Sequence, residues 1–383
     1  MGVYLDYNAS APIDERVLDK MIYVYKNVIG NADSRTHDFG DNARQVVENA
    51  RREVASLLGI NSSEVFFTSG STESNNIAIR GLMDYAEKSG KKHIITTSIE
   101  HKAVLETAKS LMKNGFDVDI VNPEADGRVD EKKIVNLVRD DTLLVSMMHA
   151  NNETGVIQPV EELGDYLNNK GILFHVDATQ SCGKLVPDIK KIKYNMLSLS
   201  AHKFNGPQGI GALILRKKKY KLPPIKAVTY GGQQEHGIRP GTIPVALVAG
   251  LGEACRIAEE EYPENINSYM EKKIAVLELF KNSGIQYKIN GTQNFCMPNT
   301  VNLSITGVES EALMLSSKQY CGISNGSACT SQDYSPSYVL KAMGLDEDRI
   351  SSAIRISWGA NTNKDELITE LSNLIEVAKG LVF

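Results

Sequence analysis

A rhythm constrains this chain most: between residues 45 and 225, short apolar, β-rich runs alternate with longer amphipathic stretches. The runs cover 64–67, 93–96, 118–121, 143–148, 172–176 and 196–199. Such runs predict strands, and stretches of helical period between them predict crossover helices, so the region reads as a mostly parallel sheet with helices on both faces. The stretches 73–88 and 102–114 are expected to be helices, the second stopped by Gly115. Residues 206–209 read as a turn and 211–215 as one more strand. After Thr242 the pattern changes to two long helices, 243–262 and 265–282, a strand at 301–305, an amphipathic stretch at 309–319 and a closing helix at 364–379. A smaller α+β lobe follows the first, as suits 383 residues, too many for one core.

Composition narrows the class of ligand. A net charge of −5 argues against a dedicated nucleic-acid or anionic-membrane binder and toward a small ligand. No secretory signal is readable at the start and no apolar run approaches the ~20 residues of a spanning helix, so a cytoplasmic protein is expected. Five widely spaced cysteines without a CxxC pair fit neither a disulfide framework nor a zinc site, and no metal centre is expected.

Ligands of open parallel sheets bind beyond the carboxyl ends of the strands. There the chain places Thr68–Glu73, small and hydroxylic residues opening a helix whose N-terminus suits a phosphate, with an ordinary capped start as the competing reading. It also places Glu100-His101-Lys102, the polar cluster His149–Gly155, and Asp177–Gln180, where a carboxylate ending an apolar strand calls for a partner. Ser198–Pro207 sets Lys203 among small residues directly after a strand, one strand-loop-strand from Asp177. A lysine that forms a Schiff base and an acid that keeps a pyridine nitrogen protonated are the two groups that pyridoxal phosphate chemistry needs. Cys329 sits in the polar loop 324–333, where an exposed thiol points to chemistry, whereas Cys182, Cys255, Cys296 and Cys321 lie near apolar stretches and read as packing. Arg355, in an alternating apolar strand, seeks a planar anion, either a substrate carboxylate or a structural partner.

At these residues the chain resembles the cysteine desulfurases of the NifS/IscS type, fold-type I enzymes of the class V aminotransferase superfamily. The likeness runs nearly end to end, through residues 4–9, 68–75, 100–104, 149–155, 177–181, 200–206, 239–242 and 326–331. It implies an α/β fold: a large lobe, 15–255, with a mostly parallel, seven-stranded-type sheet between helices, and a smaller α+β lobe, 1–14 and 256–383, carrying a mobile cysteine loop at about 324–336. It implies pyridoxal 5′-phosphate joined to Lys203, with Asp177 on the pyridine nitrogen, Gln180 on the phenolic oxygen and His101 on the ring. Ser71, Thr72, Ser200 and His202 would hold the phosphate, and Thr242 would reach it from the second subunit of a homodimer. Asn152 would lie near cofactor and substrate, Arg355 would clamp the carboxylate of L-cysteine, and Cys329 would take its sulfur for delivery to an iron–sulfur scaffold or similar acceptor. Lys203, Cys329 and His101 are the catalytic expectation.

Three places depart from the common pattern: Asp33 stands near where a proline-containing form is usual, Gly231-Gly232-Gln233 lacks a third glycine, and Gly359-Ala360-Asn361 lacks an arginine after the glycine. Ending at Phe383 without the IscS-type extension favours the NifS-like branch. A selenocysteine lyase, or a scaffold that keeps the fold without the chemistry, are the competing readings.

Overall fold

Seven strands form one sheet whose order across the layer is Val65–Thr68, Gly211–Leu215, Met196–Ser200, Leu173–Asp177, Thr142–Met148, His93–Thr97 and Asp117–Val121. The computed structural model describes residues 2–326 and 336–382. Every neighbouring pair is parallel except those of Gly211–Leu215, which runs against both flanking strands. The inner strands are buried along their length because helices cover both faces, while the edge strand Asp117–Val121 is partly exposed. Six strands therefore end, and the reversed one begins, at the same edge of the sheet.

A close approach at that edge depends on Gly211: a Cβ there would stand 2.4 Å from Leu199 O and 2.8 Å from Gly70 Cα. Only glycine lets the strand meet its neighbours at this point.

A second core gathers Leu5, Phe280, Val301, Leu303, Ile354, Ile356, Trp358 and Leu371. Its sheet orders Ala353–Ser357, Thr300–Ile305 and Tyr287–Ile289, all antiparallel. Asp6 bridges to Ser357, which lays the N-terminal segment against this sheet and carries Asn8 to the edge of the large one. Val339, Leu340, Met343 and Ile350 pack instead on the large core.

The stretch 73–88 is two helices, Ser71–Arg80 and Met83–Ser89, not the one its periodicity predicts. The break has a tertiary cause: Gly81 O accepts from Lys226 N at 2.9 Å, and a Cβ at Gly81 would stand 2.8 Å from Ile225 Cγ2 and Lys226 O. The long helices after Thr242 run Val245–Glu260 and Tyr262–Asn282, nearly end to end, because Pro263 falls in the first turn of the second, where its missing N–H costs nothing.

Candidate active site

A cavity of about 460 Å³ opens at the carboxyl edge of the large sheet, within the range of small-molecule sites. Ser71, Thr72, His101, Asn152, Asp177, Gln180, Ser200, His202, Lys203 and Arg355 all line it. Thr242 is exposed and is not among the residues that line it. Cys329 and residues 327–335 lie outside the described residues.

Lys203 ends a single 3-10 turn, Ala201–Lys203, directly after strand Met196–Ser200. Its Nζ donates to Asn8 O at 2.7 Å and Ala9 O at 2.8 Å. Gln180 Nε2 donates to the same Asn8 O at 2.9 Å, so the amine and the amide converge on one carbonyl. Asp177 closes the next strand and is buried. Its Oδ2 accepts from Asn75 Nδ2 at 2.8 Å, and its Oδ1 accepts from Thr179 N at 3.0 Å with the Thr179 hydroxyl alongside. Three donors thus offset the cost of burying the carboxylate.

Helix Ser71–Arg80 starts from Gly70 with no side-chain cap, so its first N–H groups face the cavity mouth with the positive end of the helix dipole. Ser71 Oγ is fixed by the Thr179 hydroxyl at 2.7 Å. His202 Nδ1 pairs with Ser10 Oγ at 3.2 Å, and burial beside Lys203 brings its imidazole down to about 4. His101 caps helix Lys102–Met112: Nδ1 accepts from Ala103 N at 3.1 Å. Burial lowers its affinity for a proton, so Nδ1 stays an acceptor and the neutral ring carries its hydrogen on Nε2.

Arg355 has a structural partner and also lines the cavity. Nη2 pairs with Asp6 Oδ1 at 2.5 Å and Nη1 donates to Asn152 O at 2.8 Å, while the side chain still lines the cavity. Its Nε is buried without a partner among the described residues, as are Gln180 Oε1 and Asn152 Oδ1. The free Arg355 Nε and the uncapped helix N-terminus suit an anionic group such as a phosphate, while the two unsatisfied amide oxygens call for a ligand that also donates. Among the described residues no group of three His, Cys, Asp or Glu side chains is placed to hold a metal ion, and no helix is long and apolar enough to cross a membrane.

Asn8, Asn75 and Thr179 hold the site without having been singled out from the sequence. Asn75 carried a readable signal, since a fully buried asparagine inside a helix needs a partner. Asn8 meets Lys203 and Gln180 through its backbone carbonyl, while its side-chain amide donates to Thr300 Oγ1 at 3.0 Å.

Residues 3–369 match the family described as Aminotransferase class-V. The chain is 44% identical over 370 residues to cysteine desulfurase IscS of Proteus mirabilis, covering 96% of this chain and 90% of that one. It is 43% identical over 369 residues to cysteine desulfurase IscS of Photorhabdus laumondii, with the same coverage. A solved NifS-like protein superposes with a TM-score of 0.90 at 38% identity, covering both chains fully. SspA in complex with cysteine superposes with a TM-score of 0.82 at 34% identity, covering 94% of this chain and 100% of that one. Both branch names, IscS and NifS, occur among these relatives. The chain therefore belongs to the class V aminotransferase family, among its cysteine desulfurases.

Proposed function

We propose that the protein is a pyridoxal 5′-phosphate-dependent cysteine desulfurase, turning L-cysteine into L-alanine and leaving a persulfide on Cys329. One observation carries this reading: Lys203 and Asp177 line the same cavity. Lys203 would hold the cofactor, Asp177 its pyridine nitrogen, Gln180 its phenolic oxygen and neutral His101 its ring face. Ser71, Thr72, Ser200 and His202 would take the phosphate, with Thr242 of a second copy completing the site in a homodimer. When bound, the cofactor supplies an electron sink for charge developing at the substrate Cα.

Asn152 and Arg355 would orient the substrate, Arg355 through its carboxylate. Lys203 Nζ moves the Cα proton. The Cys329 thiolate attacks the substrate sulfur: an S–S bond forms, the C–S bond breaks, and its electron pair stays with Cβ, which ends as the alanine methyl. Sulfur is oxidised to the persulfide level as carbon is reduced, so L-cysteine and one thiol give L-alanine and one persulfide with no outside oxidant. The persulfide then passes to an acceptor protein in the cytoplasm, an iron–sulfur scaffold or one like it. Division into 15–255 and 1–14 with 256–383 has two separate apolar cores behind it, although Ile257, Ala258, Val339, Leu340, Met343, Ile350 and Ala353 of the second part pack on the first core.

The test is to incubate the cofactor-loaded protein with L-cysteine and follow alanine together with the mass of the Cys329 peptide. One sulfur added to that peptide is expected, and Cys329→Ala should lose alanine formation. Undiminished alanine formation by Cys329→Ala would overturn the proposal.

A further inference from the structure

Below the cavity, three neighbouring strands are joined through one imidazole. His175 Nδ1 pairs with Ser146 Oγ at 2.8 Å on one side, and His175 Nε2 pairs with Ser198 Oγ at 3.0 Å on the other. All three side chains are buried, among strand neighbours that include Val145, Met147, Phe174, Val176, Leu197 and Leu199. In the parallel registers Ser146 lies opposite His175, and Ser198 lies opposite Asp177. Side chains alternate across a strand, so His175 and Asp177, two residues apart, leave the sheet on one face, with Ser146 and Ser198 on that same face. Asp177 lines the cavity, whereas His175, Ser146 and Ser198 do not.

The bridge joins the strands whose ends build the site. Strand Thr142–Met148 leads into His149–Asn152, strand Leu173–Asp177 ends on Asp177, and strand Met196–Ser200 leads into the turn that carries Lys203. Backbone pairing is shortest where it matters most: the Asp177 strand meets the Lys203 strand only over His175–Asp177 and Met196–Ser198, while its pairing with the other neighbour runs from Leu144 to Met148. A hydrogen bond has a preferred length and direction that apolar packing lacks, so the ring resists sliding of one strand past the next. Burial lowers the affinity of His175 for a proton, and a neutral imidazole offers one donor and one acceptor, a set that two hydroxyls satisfy. Stability alone does not call for this arrangement, because replacing buried polar partners together by apolar groups of similar shape is nearly neutral or stabilising.

We propose that His175 is a positioning residue for the cofactor, its ring bridging Ser146 and Ser198 so that the strand ends bearing Asp177 and Lys203 keep the spacing the cofactor needs. This rests on the reading of Asp177 and Lys203 as the groups that hold pyridoxal 5′-phosphate. Asp177 is then fixed from two sides: Asn75 Nδ2 meets its carboxylate at 2.8 Å, and the next residue, Ala178, donates its N–H to Ser198 O at 3.0 Å.

The test compares the wild-type protein with Ser198→Ala, with His175→Leu, and with a triple variant that combines Ser146→Ala, His175→Leu and Ser198→Ala. Each is freed of cofactor and titrated with pyridoxal 5′-phosphate. Two readouts are kept apart: the melting temperature of the cofactor-free protein, and the cofactor dissociation constant from visible absorbance. His175→Leu strands two buried hydroxyls and should melt several degrees lower, while the triple variant, with no member of the bridge left unpaired, should melt at about the wild-type temperature. The dissociation constant should rise about tenfold in all three variants, the triple included, a ratio in keeping with the loss of one or two net hydrogen bonds. A triple variant that melts and binds cofactor like the wild type would overturn the proposal, since the bridge would then be packing. So would a wild-type dissociation constant in Ser198→Ala, which removes a single oxygen and decides the question if the triple variant does not fold. A wild-type protein that takes up no cofactor, or takes it up on a lysine other than Lys203, would overturn the underlying reading and this proposal with it.

Discussion

Asn75 Nδ2 donates to Asp177 Oδ2 at 2.8 Å from the interior of a helix, so the acid at the strand end is aimed by a residue that does not itself line the cavity. Replacing Asn75 with Ala leaves that oxygen without its donor. A hydrogen bond to a charged group contributes about 1.5–3 kcal/mol, so cysteine turnover should fall about tenfold or more. Steady-state kinetics check this, and unchanged turnover would show that Asp177 does not depend on the contact.

His101 caps a helix, and in the proposed reading it also meets the cofactor ring. As a helix cap it should contribute about 1 kcal/mol of stability, lost in His101→Ala. Asparagine also caps well, so His101→Asn should restore the melting temperature but not the turnover. Thermal unfolding set beside kinetics checks the split.

Glu100 lies beneath the site with Oε1 accepting from Thr97 Oγ1 at 2.6 Å and Met148 N at 2.9 Å. Burial pushes its carboxyl from 4.5 up to about 8. The folded protein keeps this proton across a window in which the unfolded chain has lost it, so Glu100 contributes stability below pH 4.5 that is lost as pH rises toward about 8. Glu100→Gln has no proton to lose. Its stability relative to wild type should therefore rise from pH 5 to pH 8, by an amount on the order of a few kcal/mol. Thermal unfolding at both pH values checks this, and a constant difference would contradict it.

Thr242 is exposed on its own chain and outside that chain's cavity. If it completes the site of a second copy, Thr242→Ala should lose cofactor on dialysis. Mixing it with Lys203→Ala should then recover turnover, because the mixed dimer holds one intact site. A mixture no more active than its parts would contradict the shared site.

The sheet was legible because strands buried on both faces read as apolar runs, and the ends of those runs pointed to Asp177 and Lys203. The break at Gly81 was not, since it depends on the Ile225 side chain and the Lys226 backbone, far along the chain. Asn8 was hidden for a different reason: its carbonyl does the work, and a carbonyl belongs to every residue. Arg355 left two readings open because one guanidinium can pair with an acid and still line a cavity, as it does here with Asp6.

Lys184 sharpens the central question. Its amine is fully buried, has no hydrogen-bond partner among the described residues and is brought down to about 7 by burial, but it is not among the residues that line the cavity, as Lys203 is. Reducing the cofactor-loaded protein with borohydride and mapping the labelled peptide by mass spectrometry distinguishes the two lysines. The label should sit on Lys203. Finding it on Lys184 or any other lysine would contradict the account.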